Sequence, residues 1–244
     1  MKVTNFLLGY KNIRIVQDSE MFNFSIDSVL LPNFVTITPA KKNILDIGCG
    51  NAPIPLILST KTKAKIIGVE IQKEVSEMAL ESVKLNKLED QIKILNEDIK
   101  VLKDKYPTES FDTITCNPPY FKVSENSRFN KNDYKTIARH EVTLNLQELF
   151  NISKKLLKNG GNIAIVHRPE RLVDIITTMR GNNIEPKKIR FVYPKQNSNS
   201  NVLLIEGIKN GKPGLQIMHP LYIEDENGNY TNEITRNFTN EGDK

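Results

Sequence analysis

Asn43-Ile44-Leu45-Asp46-Ile47-Gly48-Cys49-Gly50-Asn51-Ala52 is the stretch whose reading decides the fold. Its first five residues form an apolar run with a single acid, and two glycines follow one residue apart. A short apolar run bounded by glycine reads as a buried strand. A glycine-x-glycine turn directly after it lets the backbone pass close to a ligand that a Cβ would block. The pair predicts the first strand of an α/β sheet with a binding crevice at its C-terminal end. Pro53 stands where a dinucleotide fingerprint has its third glycine, which argues against a dinucleotide site.

Outward from this stretch, strand and helix patterns alternate. Residues 54–59 are apolar and helix-like, and Lys65–Glu70 (KIIGVE) reads as a second strand. In 73–87, Val75, Met78, Ala79, Ser82 and Val83 recur at helical spacing between charges. Residues 91–96 alternate like a strand, and Phe111–Cys116 (FDTITC) is a fourth. An amphipathic helix over 144–157 is read as ending at Asn159-Gly160-Gly161. Strands at 162–167, 184–193 and 202–208 and a helix at 170–180 complete the pattern. The expectation is a Rossmann-like, seven-stranded, mostly parallel sheet with helices on both faces. It divides the chain into an N-terminal segment at 1–42 that caps the active site, a core domain at 43–210, and a partly flexible extension at 211–244.

Acids end the first three strands. Glu70 lies 20 residues after Gly50, where a carboxylate can accept both ribose hydroxyls of an adenosine. Asp98 follows the third strand, where it can receive an adenine amino group. Three acids closing successive strands carry more information than the glycines alone.

The fourth strand ends in Asn117-Pro118-Pro119-Tyr120. Two successive prolines fix φ and remove two N–H donors, leaving rigid carbonyls free to accept. Asn117 adds a side-chain acceptor, and Tyr120 a flat face for stacking. The product is a planar slot with fixed acceptors, suited to an amino group conjugated to a ring or a carbonyl. Such a nitrogen is a poor nucleophile because its lone pair is delocalised. Acceptors from the Asn117 side chain and the Pro118 carbonyl would bind its two hydrogens and localise that lone pair.

Composition sets the outer bounds. The 244 residues make one large domain or one domain with modest additions. No run of the sequence reaches the roughly 20 apolar residues of a membrane span, and Phe6-Leu7-Leu8 is too short for a signal-peptide core. The expected compartment is the cytoplasm. Cys49 and Cys116 are too few for a disulfide framework, and His140, His167 and His219 share no metal-ligand spacing, so no metal is expected. A net charge of +5 and a pI near 9.0 attract polyanions.

The three strand-end acids with the glycine turn resemble the class I methyltransferases that use S-adenosylmethionine. The resemblance implies that Asp46 and the turn Gly48-Cys49-Gly50-Asn51-Ala52 lie near the methionine part of that cofactor. It puts Glu70 on the ribose, Ile71 against the adenine face, Asp98 and Ile99 at the adenine, and Asn117 beside the transferred methyl. Asn-Pro-Pro-Tyr is the motif of amino-methyltransferases acting on adenine N6, guanine N2 or glutamine amides.

The wider pattern is similar to one family. The segments Phe22-Asn23-Phe24-Ser25-Ile26-Asp27-Ser28-Val29-Leu30-Leu31, Ala138-Arg139-His140-Glu141 and Val166-His167-Arg168-Pro169-Glu170-Arg171-Leu172 resemble the bacterial enzymes that methylate adenine N6 just 3′ of the anticodon in a valine tRNA. The likeness runs from about residue 18 to 220. Relatives often carry a third glycine near Ala52 and a threonine where this chain has Ile26. The family implies a tRNA partner. Lys122, Arg128, Lys131, Lys135 and Arg139, interleaved with Phe121, Phe129 and Tyr134, suit phosphate contacts and the stacking of a splayed base. Asp27 reads either as a wall of the active site or as a helix N-cap. The competing functions are a glutamine-amide methyltransferase, a guanine-N2 RNA methyltransferase, and a non-catalytic RNA-binding module on the same fold.

Overall fold

The structure is a computed structural model that describes residues 2–18, 26–118 and 145–238. An antiparallel hairpin comes first, β1 (Lys2–Leu7) and β2 (Tyr10–Asp18), followed by helix α1 (Asp27–Phe34). The core then alternates as β3 (Asn43–Ile47), α2 (Pro53–Lys61), β4 (Lys65–Glu70), α3 (Lys73–Leu85), β5 (Ile92–Asn96), α4 (Ile99–Lys105) and β6 (Phe111–Cys116). After residue 145 come α5 (Leu146–Leu156), β7 (Leu157–His167), α6 (Leu172–Gly181), β8 (Ile184–Lys195) and β9 (Val202–Lys209).

The seven expected strands form one sheet in the order β5-β4-β3-β6-β7-β9-β8. Strands β3 to β7 run parallel, and β9 is antiparallel to both its neighbours. Two short strands missed in the sequence, β10 (Gln216–Ile217) and β11 (Leu221–Glu224), line the free edge of β8 and bring the sheet to nine. They belong to the 211–244 extension, which also holds helix α7 (Asn232–Phe238); Leu221 and Ile234 there are buried.

Alternation along the strands fills both faces. On β3, Ile44 joins a core with Val29, Leu56, Ala79 and Val83, so α1, α2 and α3 cover that face. Leu45 and Ile47 point the other way, among Leu102, Leu149, Phe150, Ile175 and Met179 from α4, α5 and α6. Leu45 is fully buried, and truncating it to alanine costs about 2–5 kcal/mol.

Local chemistry sets the element ends. Asn145 and Glu148 make a capping box that starts α5. The glycines at 160–161 do not end that helix. Leu157 is already extended, pairs with Phe111, and opens β7. The register then shifts, so that Thr113 faces Asn162, and Gly160 with its φ of +74° sits in the resulting irregularity. Asp27 does not cap α1. Ile26 holds the cap position, and Asp27 is the first helical residue, where its charge suits the positive end of the helix.

Candidate active site

The sheet order reverses between β3 and β6. Ile47 of β3 and Cys116 of β6 are register partners. Their successors, Gly48 and Asn117, therefore leave adjacent parallel strands side by side at the switch point, where α/β sheets hold ligands. The two motifs read from the sequence share one crevice.

The turn after β3 needs its glycines for conformation. Gly48 and Gly50 have φ of +66° and +55°, and among the described residues a Cβ at either would meet no atom within 4 Å beyond its chain neighbours. Open space lies over the turn. Ala52, the cap of α2, also has a left-handed φ of 74°, which a third glycine would tolerate better. Pro53 follows as the first helical residue, where its missing N–H costs nothing. The side chains of Cys49 and Asn51 are buried. The Cys49 N–H donates to the Val69 carbonyl at 2.9 Å, and Asn51 Nδ2 donates to the Val16 carbonyl of β2 at 2.8 Å.

Glu70, at the end of β4, ties the turn to its neighbour strand. Its Oε2 accepts from the Gly50 N–H at 3.1 Å and its Oε1 from the Gln72 N–H at 2.9 Å. Burial raises its pKa, and these backbone bonds work against the rise. Asn96 Nδ2 donates to the Glu70 and Ile71 carbonyls at 2.9 and 3.0 Å. Ile71 itself is 43% exposed, an apolar face open at the mouth of the crevice. Asp98 caps α4, its Oδ1 accepting from the Lys100 N–H at 2.8 Å, and Ile99 behind it is buried.

Asp46 has no solvent exposure. Its Oδ1 accepts from the Thr115 hydroxyl at 2.6 Å, while Oδ2 has no hydrogen-bond partner among the described residues. Burial pushes its carboxyl up to about 8, against the Thr115 bond that favours ionisation. A buried carboxyl oxygen left over in this way, protonated below about pH 8, suits a polar ligand group.

Asn117 is half-buried at the end of β6, and its Nδ2 donates to Ser28 Oγ on α1 at 3.2 Å. Pro118 is buried. From the sequence Ser28 is read only within the segment 22–31 and receives no role, because a bond to a residue so distant in the chain leaves no local pattern. Pro119, Tyr120, Lys122, Arg128, Lys131, Lys135 and Arg139 lie outside the described residues. His167 ends β7 fully buried, with Nδ1 accepting from the Arg168 N–H, and burial pulls its pKa down to about 4. Among the described residues no cluster of His, Cys, Asp and Glu could hold a metal, and no helix is long and apolar enough to cross a membrane.

Comparison with known proteins places this geometry. A family model described as a methyltransferase domain matches residues 39–205. A tRNA1(Val) (adenine(37)-N6)-methyltransferase of Parabacteroides distasonis is 29% identical over 84% of this chain and 84% of its own. The enzyme of the same name from Porphyromonas gingivalis is 31% identical over 69% and 68%. In three dimensions, an O-methyltransferase-type protein of Agrobacterium tumefaciens superposes with a TM-score of 0.69 at 19% identity, over 87% of this chain and 97% of that one, which supports the class I methyltransferase fold. With a methyltransferase-domain match over most of its length and relatives of one name on both sides of 30% identity, the chain belongs to the tRNA1(Val) (adenine(37)-N6)-methyltransferase family.

Proposed function

We propose that this protein transfers a methyl group from S-adenosylmethionine to N6 of an adenine beside the anticodon of a valine tRNA. The observation that carries the reading is the pairing of Ile47 with Cys116, which sets the glycine turn next to Asn117. The donor's residues fit such a group. Asp46 offers a buried oxygen without a partner, and open space lies over Gly48 and Gly50. In this reading Asp46 and the backbone of Gly48 to Ala52 would hold the methionine portion and Glu70 the ribose, and Ile71, Asp98 and Ile99 would hold the adenine. A tRNA-modifying enzyme works in the cytoplasm, where its substrate is.

S-adenosylmethionine supplies an electrophilic methyl group. The chain positions the acceptor nitrogen and removes its conjugation. The Asn117 side-chain oxygen and the Pro118 carbonyl would accept hydrogen bonds from the two amino hydrogens, one of which passes to water as a proton once the methyl group is in place, and Pro119 and Tyr120 are assigned to the wall and stacking face of the slot. These fixed dipoles match positive charge developing on nitrogen, so direct displacement needs no covalent enzyme intermediate. An adenine in a loop leaves its stack at small cost. Lys122, Arg128, Lys131, Lys135 and Arg139 serve the RNA backbone. The segment 1–42 closes the site, a role supported by the bonds that Asn51 donates to Val16 and Asn117 donates to Ser28.

Incubation with labelled S-adenosylmethionine and total RNA lacking the modification, followed by nucleoside identification, tests the reading. Label in N6-methyladenosine of one tRNA is expected. Label in N2-methylguanosine, or in protein glutamine when an extract is supplied, would replace adenine by one of the other planar amines.

A further inference from the structure

The end of the sheet opposite the active site carries a cleft of about 420 Å³. Its walls are 37–42, the approach to β3, and 59–64, which runs from the end of α2 into β4. Lys41, Lys42, Lys61 and Lys63 line it, and no Asp or Glu does. Among the described residues none of the four forms an ion pair. Their contacts are to neutral oxygens. Lys41 Nζ donates to the Thr36 carbonyl at 2.9 Å and to Asn162 Oδ1, Lys42 Nζ to the Pro39 carbonyl at 2.8 Å, and Lys61 Nζ to Asn33 Oδ1. These bonds hold the ammonium groups in place without cancelling their charge.

The charge surroundings sharpen the point. Lys61 is exposed as a whole residue, and packing around its ammonium group lowers its pKa, with no acid opposing it. Burial also lowers that of Lys41, opposed by Glu206 and Asp112. Both acids are shared with other donors: Glu206 is buried and accepts from the Thr36 N–H and Asn162 Nδ2, and Asp112, at the edge of the cleft, accepts from Lys158 and from the backbone N–H groups of Lys42 and Asn43. The C-terminal end of α2 adds about half a negative charge, which four cations exceed. Holding four cations together with only two nearby acids, both shared with other donors, costs energy that an arriving anion returns.

We propose that this cleft holds backbone phosphates of the substrate RNA, away from the reacting base. The proposal rests on the RNA reading above. Scale permits it: β3 spans about 17 Å from the cleft to Gly48, and α2 about 14 Å from Lys61 back to the turn. An RNA whose base occupies the crevice continues in both directions, and one of them can follow this flank. Thr38 and Thr62 supply hydroxyls that can donate to phosphate oxygens.

The salt dependence of tRNA binding tests it. The variant Lys42→Ala/Lys63→Ala is compared with wild type and with Lys84→Ala/Lys93→Ala, which loses the same charge from exposed positions elsewhere. If two phosphates are neutralised in the cleft, the slope of log K against log salt falls by about 2, and affinity near 0.1 M salt drops on the order of tenfold or more. The control keeps the wild-type slope. Equal slopes for the cleft variant and wild type overturn the proposal. So does a cleft variant that loses only a stabilisation of the protein by inorganic phosphate, since the cleft would then be a small-anion site. Methyl transfer by wild type to the same tRNA is measured in parallel. Transfer with unchanged slopes removes the cleft alone, whereas no transfer removes both readings.

Discussion

Ser28 Oγ accepts a hydrogen bond from Asn117 Nδ2 at 3.2 Å, joining positions 89 residues apart in the chain. Ser28 is buried on α1, and Asn117 opens the motif after β6. An amide held by its nitrogen has its orientation chosen, and in the proposed mechanism that leaves Asn117 Oδ1 to meet the methyl acceptor. On that proposal Ser28 is a positioning residue. Ser28→Ala is expected to lower kcat about tenfold, with KM for tRNA, cofactor affinity and melting temperature little changed. Ser28→Thr, which keeps the hydroxyl, restores part of the loss. A Ser28→Ala enzyme with full kcat contradicts the role.

Ala52 holds a left-handed backbone at φ 74° where glycine would be unstrained. That conformation costs a non-glycine residue about 1–2 kcal/mol, and the flexibility glycine adds to the unfolded chain offsets roughly 0.5–1 kcal/mol of the gain. Ala52→Gly is therefore expected to stabilise the protein by about 0.5–1 kcal/mol, read by denaturant unfolding. A destabilised variant would mean that the Ala52 methyl group packs more favourably than its strain costs.

Asp46 ties stability to pH. Its carboxyl is pushed from 3.8 to about 8 in the folded protein. Between roughly pH 4 and pH 8 the native state keeps a proton that the unfolded chain has released, so stability falls as pH rises through that window. Asp46→Asn keeps an acceptor for Thr115 and does not titrate, and its stability should be flatter over the same range. Unfolding near pH 5 and near pH 8 measures both proteins. Equal pH slopes in the two would contradict the raised pKa.

Much of this architecture is legible in the sequence, for a physical reason. Parallel strands buried on both faces, such as 43–47 and 111–116, read as apolar runs, and the residues ending them mark the crevice. The elements that escaped lack such a signal. Helix α1 is buried on nearly every side and contains Pro32, so it has no amphipathic stripe. The glycines at 160–161 look like a helix stop and instead serve a strand irregularity, because pairing with Phe111 overrides the local preference. Strands β10 and β11 are too short to show a period. In the site, Gly48, Gly50, Glu70 and Asn117 were readable from spacing. The ties from Ser28 and Val16 were not, since they join residues distant in the chain through single hydrogen bonds.

Single-turnover methyl transfer to tRNA by Asn117→Ala bears most directly on the idea that fixed acceptors activate a conjugated amine. The rate is expected to fall on the order of 10²–10³ while affinity for S-adenosylmethionine changes far less. A rate within a few-fold of wild type, with the cofactor bound as before, would contradict it.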